Sequence, residues 1–329
     1  MSSAGDPTAN GMATASPAQT PAQPSTQVPP QPGSPHAPPP RPPRGRVLLI
    51  LAVAVAAVSC AAIFVRLAEA PGVVVAFYRM LLASLVMLPL TLRALRRTPL
   101  SGPNLRLTAA AGALLAVHFA TWISSLSLTS VTASVTLVST SPLWVALFAW
   151  LFLNKLPGLG VMVGALLAVA GAATIAFGDT GSGSAPLLGQ ALALLGAVAV
   201  AGYLLLGRLV QARGVSLAAY AGTAYLFAAA VLLPLPLIFG ESYLGYPLGS
   251  FAWILLLALV PQLIGHTGIN YAARHLDTTL VATATLIEPV GSGILALVLF
   301  RELPSAATLI GAVVLLVGVA ITLRSAREN

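Results

Sequence analysis

The chain has 329 residues, of which 57% are hydrophobic and only 7% charged, against roughly 25% charged in soluble domains. This excludes a water-soluble core with a polar shell between Val47 and Leu323, and a single cysteine, Cys60, excludes an internal disulfide framework or a cysteine-based zinc site. The net charge of +8 would suit nucleic acid in a soluble protein, but the basic residues fall between apolar segments, so no nucleic-acid partner is expected.

Residues 1–45 differ in material from the rest. Thirteen of the 26 prolines precede Val47, mixed with Ser, Thr, Gln and Ala, and such a stretch cannot bury enough apolar surface to fold. It reads as a disordered, Pro-rich cytoplasmic tail. It is not a cleavable signal peptide, because the apolar run begins only after Arg46 and no small-residue cleavage site with mature soluble sequence comes after it.

Ten apolar segments succeed the tail, near 47–66, 73–92, 106–128, 132–153, 158–177, 187–209, 216–238, 250–271, 278–300 and 304–323. Each is close to the ~20 residues an α-helix needs to cross the hydrocarbon of a bilayer. Pro71-Gly72, Ser101-Gly102-Pro103, Pro157-Gly158, the 181–186 stretch, Gly214 and Tyr246-Pro247 break the pattern where loops are expected. Nothing alternates in period two over ten-residue spans, so a β-barrel is excluded.

Basic residues orient the spans. With the tail in the cytoplasm, that side holds Arg41, Arg44, Arg46, Arg93, Arg96, Arg97, Arg106, Lys155, Arg208, Arg213, Arg274, Arg324 and Arg327, and the other side only Arg66 and Arg301. This asymmetry obeys the positive-inside rule, supports ten spans, and places both termini in the cytoplasm.

The apolar part of the chain is duplicated. A shift of 147 positions lays Pro142, Ala149, Leu156, Pro157, Gly164, Ala165, Gly171 and Ala173 onto Pro289, Ala296, Leu303, Pro304, Gly311, Ala312, Gly318 and Ala320. Residues 46–178 and 187–324 are the two repeats. Five helices each is an odd number, so the second repeat enters the membrane from the opposite side. The expected fold is an all-α membrane protein with ten transmembrane helices in two inverted five-helix repeats, an organisation typical of secondary transporters with a central site.

Charges inside lipid cost ~2.5 to 3.5 kcal/mol on insertion scales, so Arg79 and Glu288 are expected to face protein or water. Glu288 reads as a proton-accepting or cation-binding carboxylate, and Arg79 as an anchor for a substrate carboxylate or for Glu288. The alternative is a static ion pair joining the repeats. Ala224 occupies the position equivalent to Arg79.

Gln262, His266 and Asn270 stand at i, i+4 and i+8 on one helical face, and His118, Trp122 and Ser125 share another. These stripes either line a central cavity or hydrogen-bond neighbouring helices. A titrating histidine would allow coupling to a proton or another ion. Pro142 and Pro289 stand at matching places in the fourth and ninth segments, where each is expected to kink its helix, as a gate or as a fixed bend. The Gly160, Gly164, Gly171 and Gly311, Gly318 stripes read as packing surfaces.

Phe77-Tyr-Arg79, Thr140-Ser-Pro142-Leu-Trp, Gly265-His-Thr-Gly-Ile-Asn270-Tyr-Ala, Glu288-Pro289 and Arg301-Glu302-Leu-Pro304 resemble motifs of EamA-type carriers in the drug/metabolite transporter superfamily. The resemblance covers the whole chain after the tail. It implies two inverted repeats, a substrate cavity at their interface, cytoplasmic termini, and cargo such as amino acids, other metabolites or drugs. Where relatives often carry a Gly-Glu pair closing the fourth helix, this chain has Asn154-Lys155.

Enzyme readings find little footing. There is no phosphate-cradling Gly-rich Lys loop and no HExxH helix, so neither ATP nor a metal is implied, and no cofactor is expected. An intramembrane hydrolase built on Ser292 and His266 leaves the duplication unexplained. A non-transporting scaffold would need large soluble loops or a folded tail. The sequence thus reads as a plasma-membrane carrier that exports a small organic solute by alternating access, with the lipid bilayer as its other partner and no motif that specifies an oligomeric state.

Overall fold

The computed structural model of the chain describes residues 42–153, 158–178, 183–276, 281 and 284–328. The tail expectation, up to residue 41, lies outside the described residues, as does Lys155. Every regular element among the described residues is helical. In chain order they are α1 (Arg44–Ser59), α2 (Ala61–Leu67), α3 (Gly72–Arg97), α4 (Gly102–Ser125), α5 (Val131–Val138), α6 (Ser141–Leu153), α7 (Leu159–Gly178), α8 (Pro186–Ala212), α9 (Leu217–Leu232), α10 (Leu235–Ile238), α11 (Leu248–Leu257), a π-helix (Ala258–His266), α12 (Thr267–Ala273), α13 (Glu288–Phe300) and α14 (Ala306–Glu328).

Among the described residues, seven continuous or nearly continuous stretches are long and apolar enough to cross a bilayer: Arg44–Leu67, Gly72–Arg97, Gly102–Ser125, Val131–Phe152, Pro186–Ala212, Leu217–Ile238 and Leu248–Ala273. Three shorter apolar helices, Leu159–Ile175, Glu288–Phe300 and Ala306–Thr322, occupy the places of the other expected spans. The exterior is correspondingly greasy. Leu159, Leu166, Val169, Leu187, Val298 and Val313 stand exposed along their helices, where lipid rather than water is the favourable neighbour.

The expected kinks at Pro142 and Pro289 are instead breaks. α5 stops at Val138, two turn residues intervene, and Pro142 is the second residue of α6; likewise residues 286–287 form a turn and Pro289 is the second residue of α13. In a first turn the missing proline N–H is one that would have had no intrahelical partner, so the ring starts a helix there rather than disrupting one. The two breaks fall at matching places in the repeats.

Glycines set the tightest helix contact. α7 and α14 meet so closely that a Cβ on Gly171 would lie 2.6 Å from the Gly311 carbonyl oxygen, and one on Gly318 would lie 2.6 Å from that of Gly164. Only hydrogen side chains allow this approach. Rising numbers on α7 meet falling numbers on α14, so the two helices run antiparallel. The partners are also exchanged: Gly164 corresponds to Gly311 and Gly171 to Gly318 in the repeat match, and each touches the other's counterpart. The same exchange recurs in larger units, with α4 packed on α8 and α1 packed on the π-helix and α12.

Two side-chain contacts fix which helix ends share a side. Arg213 Nη1 donates to Asn104 Oδ1 at 3.1 Å, and Thr91 Oγ1 donates to the Ala218 carbonyl at 3.2 Å. These join the α3–α4 turn to the α8–α9 turn, and gather Arg93, Arg96, Arg97, Arg106, Arg208 and Arg213 at one end of the helices. At the other end, Arg66 Nη2 donates to the Thr129 carbonyl at 2.9 Å.

Candidate functional site

A cavity of about 140 Å³ lies between helices of the two halves. α4 supplies His118 and Trp122. The α5–α6 break supplies Ser139, Ser141 and Pro142; α8 supplies Tyr203. The π-helix and α12 contribute Gln262, His266 and Asn270, and Thr285 and Glu288 complete the polar walls. Both polar stripes expected from spacing therefore converge, with the exception of Ser125. That hydroxyl bonds the Trp122 carbonyl at 2.6 Å and Ser134 Oγ at 2.7 Å, joining α4 to α5 instead. Pro289 is buried and is not part of the cavity wall.

Arg79 sits just behind this wall, on the buried face of α3 and fully inaccessible. Its Nε donates to Gln262 Oε1 at 3.0 Å. Its guanidinium carbon lies 4.0 Å from the Phe119 ring centroid and 5.8 Å from that of Trp122, which is cation–π geometry. Nη1 and Nη2 have no hydrogen-bond partner among the described residues. Such groups are expensive to bury unpaired. Arg79 and Glu288 form no salt bridge in this structure.

The remaining walls orient one another. His118 Nδ1 lies 2.9 Å from the Gly196 carbonyl on α8, and its ring stacks on Trp122 with 4° between the planes. An Nδ1–H donating to that carbonyl leaves Nε2 as the ring's acceptor. The His266 and Phe119 rings meet at right angles with centroids 6.0 Å apart, so the ring beneath Arg79 also neighbours the second histidine. Tyr203 stacks on Tyr220, whose hydroxyl donates to the Tyr203 carbonyl at 3.1 Å. Sequence reading missed Tyr203, Ser139, Ser141 and Thr285 as wall residues. The proline match at 142 and 289 was the available signal for Ser141, and nothing in spacing singled out Tyr203.

A second cluster sits at the end away from the six arginines. Arg301, at φ 54°, ends α13 in the left-handed region and turns the chain. The next residue, Glu302, reaches α2 and α5: its Oε2 lies 3.6 Å from Arg66 Nη1, and its Oε1 accepts from the Val131 backbone N–H at 2.6 Å. A carboxylate on the first residue of α5 satisfies a free helix-end donor and complements the helix dipole. One carboxylate thereby ties three helix ends, two from the first half and one from the second.

Ser292, the nucleophile of the hydrolase alternative, is buried and donates its hydroxyl to the Ser59 carbonyl at 2.9 Å, off the cavity wall. The hydroxyl serves as a bond between α13 and α1.

Comparison with known proteins agrees with the helical layout. One solved crystal structure of a protein aligns with a TM-score of 0.59 at 22% identity, covering 87% of this chain and 100% of the other, a likeness of fold alone. No curated protein matches the chain. The model of the EamA-like transporter family matches residues 43–177 and again 187–324, and the chain therefore belongs to that family, a multi-pass membrane transporter of the drug/metabolite transporter superfamily.

Proposed function

We propose, from this family membership, that the protein is a plasma-membrane exporter with ten transmembrane segments in two inverted repeats, both termini cytoplasmic, working by alternating access. The exchanged, antiparallel glycine contacts of α7 and α14 support the inverted relation, because equivalent helices meeting at swapped positions are what a two-fold axis between the halves produces. The boundaries 46–178 and 187–324 delimit the repeats in this reading. The Arg66–Glu302–Val131 contacts hold one side of the cavity shut, and their release opens it.

The observation that carries the reading is the pair of unpartnered guanidinium nitrogens on Arg79, buried directly behind Gln262 of the wall of a small polar cavity, so that this part of the wall must open before a solute reaches them. A planar fork with two free donors matches a carboxylate, which can accept both. The cargo is thus a small organic solute bearing a carboxylate, of the amino-acid, metabolite or drug-like kind. Trp122 and Tyr203 flank its apolar part, while His118, Gln262, His266 and Asn270 supply hydrogen bonds. Glu288 takes the coupling proton or a cationic group of the solute. At about 140 Å³ the cavity is below the ~300 to 1,000 Å³ of drug-sized sites, so the described state holds a solute of few atoms, and larger cargo requires the halves to part.

The test compares extracellular metabolites of cells that lack, carry or overproduce the protein, and repeats the comparison with Glu288→Gln. A carboxylate-bearing compound should accumulate outside in proportion to the protein and fall about ten-fold or more with the variant, the loss expected for one charge-assisted bond. An unchanged extracellular profile with Glu288→Gln would make that residue architectural. Appearance of hydrolysis products would replace transport with an enzymatic reading.

A further inference from the structure

Pro89, Leu92, Arg93, Arg96 and Arg97 are spaced i, i+3, i+4, i+7 and i+8 along α3, so they share one helical face. Together they border a shallow surface groove of about 500 Å³, open to the surroundings, that shares no residue with the cavity described above. One turn deeper the same face continues with Leu85 and Val86, which are 53% and 50% exposed, and Leu92 is 45% exposed. The face is apolar toward the middle of the membrane-spanning helix and cationic at its end.

Charge balance makes the groove distinctive. No Asp or Glu occurs anywhere between Glu69 and Asp179, so neither α3 nor α4 can neutralise these arginines. Arg93, Arg96 and Arg97 make no hydrogen bond or ion pair among the described residues. All three are exposed at the last two turns of the helix, where a single cation would suffice to complement the dipole. They are arginines throughout, and the guanidinium fork binds phosphate oxygens in pairs as a lysine ammonium does not.

We propose that this groove is a binding site for the headgroup of an anionic phospholipid, with the phosphodiester held by Arg93, Arg96 and Arg97 and an acyl chain lying along Leu92, Val86 and Leu85. Complementary charge at the helix end and continuity with a lipid-facing apolar stripe identify the occupant: a soluble phosphate or an acidic protein would use the arginines and leave the leucines unaccounted for. The site needs only that the chain spans a membrane. It stands whether or not the transport reading does.

The test uses the full chain purified in detergent and titrated with phosphatidylglycerol or phosphatidylcholine, with bound lipid counted by native mass spectrometry. Phosphatidylglycerol should be retained in preference, and R93Q/R96Q/R97Q should weaken it about one-hundred-fold, at about five-fold for each arginine. R106Q/R208Q/R213Q removes the same charge from the same end but outside the groove, and at physiological salt, where charges beyond ~8 Å are screened, should leave retention within about two-fold. Equal weakening by both triple variants would reduce the groove to part of a diffuse basic surface and overturn the proposal. So would equal retention of the two lipids. Should the triple variant fail to fold, R93Q, R96Q and R97Q measured singly carry the same comparison.

Discussion

Where α3 carries Arg79, the equivalent position of α9 carries Ala224, and both are wholly inaccessible. Beside Pro289 stands Glu288, and beside its counterpart Pro142 stands Ser141. The halves thus share their glycines, their helix breaks and their exchanged packing, while the charged groups near the cavity belong to one partner of each matched pair. Backbone scaffolding can be duplicated without cost, because small residues and turns serve either copy equally. A buried charge cannot, since each one must be offset, and a solute that lacks two-fold symmetry needs only one of each.

The sharpest way to break this comparison is Arg79→Met. Transport should fall about thirty- to one-hundred-fold, from loss of a charge-assisted contact, while the melting temperature in detergent holds or rises, because an apolar side chain replaces an unpaired buried cation. Moving the charge, R79M/A224R, should not restore transport. Restoration would show that the asymmetry of the halves is incidental.

Substitution of the shared glycines tests the symmetric part. Gly171→Ala and Gly318→Ala each place a Cβ 2.5 Å from a backbone nitrogen of the facing helix, and each should destabilise by about 1 to 3 kcal/mol, read as matching drops in melting temperature. Gly249→Ala, with nothing within 4 Å of its Cβ, should be neutral or slightly stabilising. Unequal drops for the matched pair would mean that the halves do not bear on one another equivalently.

The smallest effect belongs to the clamp. Glu302→Gln keeps an acceptor for Val131 but removes the charge facing Arg66, whose side chain is 30% exposed. Exposed pairs contribute about 0.2 to 1 kcal/mol, so stability should scarcely change. The equilibrium between conformers should still move by about two- to five-fold, seen as faster thiol labelling of a cysteine placed at Ser141. Unchanged labelling would remove the clamp from any gating role.

Much of this was legible in the chain because a bilayer imposes coarse rules. Long apolar runs and basic turns located the helices, and costly polar residues within them pointed to the cavity: His118, Trp122, Gln262, His266, Asn270 and Glu288 all reached its wall. The interruptions were hidden. Breaks at Cys60 and at 139–140 leave no trace in hydropathy, since a turn buried in apolar surroundings can be as apolar as a helix, and Pro142 looked like a mid-helix kink for the same reason. Arg79 was legible as a buried cation but not its company. Gln262 and Phe119 reach it through contacts between segments far apart in the chain, and sequence spacing within one helix says nothing about which neighbours face it across a bundle.

The segment Ala258–His266 closes its hydrogen bonds five residues back instead of four, and so stores one residue more than an α-helix of the same height would use. Tightening a single turn there would swivel α12 by about 100° and advance it by about 1.5 Å. Gln262 and His266 ride on that slack and Asn270 lies just beyond it. Such a turn would re-index the wall like the tooth of an escapement, bringing another side chain to the same spot through the motion of α12 alone.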